Sequence, residues 1–120
     1  MTLASTEQTG SANSPVDRRR HARYRFSVPI SVHTEDGRVI RAMTLEISES
    51  GLSAMLASPL KVGDSVRLEP VAAGAVAAHV RHNVGAIYGF EFLQMTEEQI
   101  DKLRDTCRRL QRYPPNRRGI

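Results

Sequence analysis

The sequence predicts a mainly β protein, an antiparallel barrel or sandwich followed by a C-terminal helix. Two observations predict it. Between Phe26 and Phe92, apolar and polar side chains alternate in six short runs, with turn signals between them at intervals of about ten residues. After Thr96 the apolar spacing lengthens to the three and four of a helix. The folded unit is expected over residues 17–112, with a disordered leader at 1–16 and a flexible tail at 113–120.

The leader is rich in Ser, Thr, Gly and Asn and nearly lacks large apolar groups, so burial cannot offset the entropy of ordering it. In the first strand, Phe26, Val28, Ile30 and Val32 share one face, and Pro29 on the other predicts a sheet edge. Thr34-Glu35-Asp36-Gly37 supplies a hairpin turn. The second strand, Arg38 to Ile47, is expected to turn Val39, Met43, Leu45 and Ile47 inward, with Arg41 interrupting that face. Leu52, Ala54 and Leu56 mark the third, which Ser58-Pro59 ends.

Val62-Gly63-Asp64 is the next turn, and Val66 and Leu68 the fourth strand. Residues 70–75, rich in Ala and Gly, fit no pattern, but Val76, Ala78 and Val80 alternate as a fifth. Asn83-Val84-Gly85 turns the chain into the sixth, where Tyr88, Phe90 and Phe92 line one face. Thr96 and Gln99 have capping-box spacing. Ile100, Leu103, Cys107 and Leu110 form the helical stripe. Glu97, Glu98 and Asp101 near its start, with Arg108, Arg109 and Arg112 near its end, suit the helix dipole. Pro114-Pro115 stops it.

The 120 residues carry a net charge of +4, unevenly distributed: +3 over residues 1–25, −2 over 26–95 and +3 over 96–120. Basic ends around a nearly neutral body point to an anionic partner. The single Cys107 excludes an intramolecular disulfide and a thiolate metal cluster and suits a reducing compartment. The sequence shows neither a secretory signal nor an apolar run of the roughly 20 residues that span a bilayer. A cytoplasmic protein without a membrane span is expected. His79 and His82 are two residues apart from being adjacent, but regular strand alternation puts them on opposite faces, so no metal site is expected. No nucleophile has a neighbouring histidine and orienting acid, and no glycine loop cradles a phosphate, which argues against an enzyme.

Two segments stand out chemically. Asp17-Arg18-Arg19-Arg20-His21-Ala22-Arg23 sets four guanidinium groups within six residues. Each can clamp a phosphate or reach the O6 and N7 acceptors of guanine with two bonds. Downstream, Glu46-Ile47-Ser48-Glu49-Ser50-Gly51 offers a carboxylate acceptor, a hydroxyl that both donates and accepts, and a glycine suited to a sharp turn or positive φ. Taken singly, the first also reads as a solvated tail and the second as a polar strand end.

The order and spacing of these segments, followed by Leu52-Ser53-Ala54 and Tyr88-Gly89-Phe90-Glu91-Phe92, resemble the PilZ domain family. Its signature is R-x-x-x-R before the first strand and [D/N]-x-S-x-x-G after the second. Arg19 and Arg23 match the first motif, with Arg18 just ahead. Ser48 and Gly51 match the second, where Glu46 replaces the usual Asp or Asn.

The resemblance implies a six-stranded antiparallel β-barrel with a C-terminal α-helix and a cyclic di-GMP receptor without a cofactor. It implies that Arg19 and Arg23 hold guanine and phosphate groups, that Ser48 contacts the ligand, that Gly51 shapes the turn and that Glu46 reads the base. Arg18 is a candidate for a second bound nucleotide. The ligand is expected to order the arginine segment and so signal to a downstream protein. The rival reading is an adaptor that has lost nucleotide binding through the longer Glu46; a general nucleic-acid binder rests on charge alone.

Overall fold

The computed structural model describes residues 21–110; the leader, the tail, Arg18, Arg19 and Arg112 lie outside them. Among the described residues, seven strands and one helix follow in order: β1 Tyr24–Arg25, β2 Pro29–Thr34, β3 Val39–Ile47, β4 Gly51–Leu56, β5 Ser65–Val71, β6 Gly74–Val84, β7 Ile87–Phe92 and α1 Glu97–Arg109. Six of the strands form a closed antiparallel ring, β3-β2-β5-β6-β7-β4, which the β3–β4 pairing completes. The two-residue β1 is an addition to the six expected. It pairs with the end of β3, placing Tyr24 opposite Ile47 and Arg25 opposite Glu46.

The barrel interior is filled by the alternating residues of the ring, among them Val32, Leu68, Val76, Val80 and the predicted trio Tyr88, Phe90 and Phe92. On β3 the expected face is inverted. Ile40, Ala42 and Thr44 point inward, while Val39 and Met43 are exposed. A bulge between Thr44 and Glu46 then shifts the phase so that Ile47 is also buried. Thr44 is tolerated inside because its hydroxyl donates to the Val28 carbonyl at 3.0 Å and accepts from the Val28 N–H at 2.8 Å.

β2 as a whole is interior to the ring, pairing with both β3 and β5, but Pro29 itself pairs only with Met43 on β3, because the pairing with β5 begins at Ser31. Pro29 is the first residue of its strand, a place where its missing donor is tolerated. The segment without a pattern resolves into the end of β5 and a two-residue turn. Ala72 and Ala73 there both adopt positive φ, 53° and 64°. The turn expected at residues 83–85 lies at Gly85-Ala86, because β6 continues through Val84.

The helix begins as its spacing predicts. Thr96 accepts from the Gln99 N–H, and the Gln99 side chain accepts from the Thr96 N–H, both at 3.1 Å. Leu103 and Cys107 are buried beneath it, and the Gln99 amide donates to the Ala75 carbonyl at 2.9 Å. Arg104 reaches Glu49 in the β3–β4 turn. These anchors lay α1 across the barrel end where β3 finishes and β4, β6 and α1 begin. No helix among the described residues is long and apolar enough to cross a membrane.

Candidate functional site

The segment ahead of β2 runs antiparallel to β3. Tyr24 is half-buried against the core, so strand alternation turns Arg23 and Arg25 outward. The Phe26 N–H donates to the Leu45 carbonyl at 3.1 Å, holding the segment down beside the β3 bulge. Arg23 therefore meets Glu46, with Nη1 3.3 Å from Oε1. Of the predicted site residues, the structure brings together Arg23, Glu46, Ser48 and Gly51 at this barrel end. Arg18 and Arg19 lie outside the described residues.

Ser48 is buried, and its hydroxyl is engaged locally. It accepts from the backbone N–H groups of Ser50 at 3.1 Å and Gly51 at 3.3 Å, and lies 3.1 Å from the Ser50 hydroxyl. The Ser48 N–H donates to the Gly51 carbonyl at 2.8 Å. The side chain thus builds the β3–β4 turn from within, as serine does in tight turns.

Gly51 lacks the positive φ that its motif suggests, and its requirement is steric. A Cβ there would lie 2.1 Å from the carbonyl oxygen of Phe90 on β7. The neighbouring strand leaves room for hydrogen only.

Next to Gly51 on the outer surface stands a cluster that the sequence did not reveal. Gly51 is opposite Glu91, and Glu91 opposite His79. Glu91 accepts from Arg81 at 2.6 Å and lies 2.8 Å from the Nε2 of His79. The Arg81 hydrogen bond, helped by its charge and by His79, holds the Glu91 carboxyl below its ordinary range despite partial burial. The residues are 10 and 12 positions apart, and only strand register joins them.

His79 and His82 do not take opposite faces, because a bulge between Val80 and His82 breaks the alternation. Both lie on the outside, each facing a different β7 residue. Among the described residues no group of three or more His, Cys, Asp or Glu side chains could hold a metal.

Glu49 carries the turn to the helix through its 3.0 Å pair with the Arg104 Nε. Beneath it, burial and then the Glu49 charge push the Cys107 thiol up to about 11. Elsewhere on the barrel, an open groove of about 520 Å³ runs past Pro29, Arg41, Met43, Met55 and Glu69 and contains none of the predicted site residues.

The family model described as "PilZ domain" matches residues 17–109. A search of curated protein sequences finds no match. The fold is similar to the PilZ domain of CeSA from a cellulose-synthesizing bacterium, with TM-score 0.58, 16% identity, and 71% of this chain and 93% of that one covered. It is similar to the Escherichia coli YcgR PilZ domain solved with c-di-GMP, with TM-score 0.61, 18% identity, and coverage of 78% and 91%. The Bacillus subtilis inhibitor of motility MotI/DgrA gives TM-score 0.61 and 23% identity, with 77% of this chain covering half of that one.

Proposed function

Because the chain belongs to the PilZ domain family, we propose that it is a cytoplasmic receptor for cyclic di-GMP that acts by binding and catalyses no reaction. The observation that carries this reading is the meeting of Arg23 and Glu46 at 3.3 Å on the outer surface, beside the Ser48–Gly51 turn. A guanidinium and a carboxylate so paired offer complementary chemistry to one nucleotide. Glu46 accepts from the N1 and N2 donors of guanine, while Arg23, aided by Arg18 and Arg19, binds phosphate or the O6/N7 edge. The ligand exchanges one ion pair for two sets of charge-assisted bonds. Its phosphates hold the arginine segment, residues 17–25, against the barrel and create a surface for a downstream protein.

A second reading draws support from the same residues. Glu46 is already engaged by Arg23, and the Ser48 hydroxyl is committed to its turn. Those engagements favour a protein-interaction adaptor that does not bind the nucleotide.

Isothermal titration with cyclic di-GMP at near-physiological salt, with cyclic di-AMP as control, separates the two. Saturable binding selective for the guanine ligand, lost in Arg23→Ala, supports the receptor and counts the bound nucleotides. Silence from a folded sample overturns it in favour of the adaptor.

A further inference from the structure

The register of the barrel joins one row of residues across five strands. Arg25 on β1 is opposite Glu46 on β3, Glu46 opposite Ser53 on β4, Ser53 opposite Gly89 on β7, and Gly89 opposite His82 on β6. The two larger acceptor or donor side chains of the ring portion, Glu46 and His82, flank the two smallest residues. Each is brought into the row by a bulge in its own strand, one between Thr44 and Glu46 and the other between Val80 and His82. Bulges re-aim side chains and recur beside functional sites. Between these two ends the row carries only Ser53 and Gly89.

The imidazole of His82 leans over Gly89. A Cβ on Gly89 would lie 2.2 Å from Nε2, 2.4 Å from Cε1 and 2.8 Å from Cδ2. The ring tip thus occupies the space that a side chain at residue 89 would take, and Nε2 is carried one strand toward Ser53. Among the described residues the His82 imidazole has no hydrogen-bond or ion-pair partner, whereas that of His79 on the same strand is engaged by Glu91. Adjacent strands are about 4.8 Å apart, so roughly 10 Å separates the β7 line under the ring tip from the β3 line that carries Glu46. Glu46 stands on the far line with its carboxylate paired to Arg23, and a span of that order admits one planar base between the two side chains.

We propose that His82 is a specificity-determining residue of the nucleotide site, its Nε2–H donating to the acceptor edge of the base whose donor edge meets Glu46. The inference rests on the receptor reading above. Guanine presents N7 and O6 as acceptors on the edge away from its N2 amine. Adenine replaces O6 with an amino donor, so the imidazole donor and the Glu46 acceptor favour guanine from two sides.

The test is titration of the full chain and its His82→Ala and His82→Gln variants with cyclic di-GMP and cyclic di-AMP, with thermal unfolding as a fold control. Loss of one such hydrogen bond is expected to weaken cyclic di-GMP binding roughly 3- to 10-fold in His82→Ala. Binding of cyclic di-AMP stays unchanged, and His82→Gln, which restores an N–H donor, recovers most of the loss. Gly89→Ala is a second route: the three atoms nearest its methyl group all belong to the His82 ring, so it displaces the ring tip, and its binding should fall as in His82→Ala. Equal affinity in the wild type and His82→Ala overturns the proposal and leaves the receptor standing. Equal weakness in the Ala and Gln variants overturns the donor role. A wild-type chain that does not bind cyclic di-GMP overturns both readings together.

Discussion

Glu49 and Arg104, 55 residues apart in sequence, meet at 3.0 Å and join the turn of the candidate site to the helix that covers the barrel end. The pair is partly exposed, so its direct contribution to stability is about 0.2–1 kcal/mol. Its position gives it a local effect. Arg104→Gln should raise the rate at which a thiol reagent labels Cys107 severalfold, while shifting the urea midpoint by less than 1 kcal/mol equivalent. Unchanged labelling would show that α1 is held by its apolar stripe alone.

Gly51→Ala should cost about 1–3 kcal/mol, since a methyl group placed 2.1 Å from the Phe90 carbonyl must push two paired strands apart. Equilibrium urea unfolding measures it. A cost under 0.5 kcal/mol would mean that β4 and β7 separate easily at this point.

The turn between β5 and β6 places Ala72 and Ala73 at positive φ, where an L residue with a Cβ is disfavoured by about 1–2 kcal/mol. Ala73→Gly relieves that strain but adds freedom to the unfolded chain, for a net gain of about 0.5–1 kcal/mol. Ala73→Val should lose about 1 kcal/mol or more, because branching at Cβ worsens the same clash. Thermal melts of the two variants must move in opposite directions.

Cys107 supplies a pH signature. Its folded thiol is raised to about 11 by burial and by Glu49, above its ordinary value of 9.0. A raised folded value leaves the associated stability intact below 9.0 and removes it as pH climbs toward 11. Unfolding measured at pH 8, 10 and 11 should therefore show a steeper loss in the wild type than in Cys107→Ala. Parallel curves would mean that the thiolate is accommodated without cost.

The strands were legible wherever period two ran unbroken, as at Tyr88, Phe90 and Phe92, and the helix start was legible in Thr96 and Gln99. β3 reads wrongly because Val39 and Met43 face outward while Ile40, Ala42 and Thr44 fill the interior. Apolar character is the wrong guide at Thr44, which is buried by its bonds to Val28, a partner 16 residues away. The turn at Ala72 and Ala73 carried no glycine or asparagine to announce it. Within the candidate site, Glu46, Ser48 and Gly51 stood out by motif. The Glu91 cluster and the row ending at His82 did not, because bulges and register decide who stands beside whom.

The ring closes through β3 and β4, and β1 has no part in that closure. Tyr24 and Arg25 hang from the end of β3 like a latch on a finished frame. Tyr24 rests on the core, but the closure of the barrel runs through other strands. In the proposed receptor, a change at Arg23 would therefore alter recognition without touching any pairing that closes the ring.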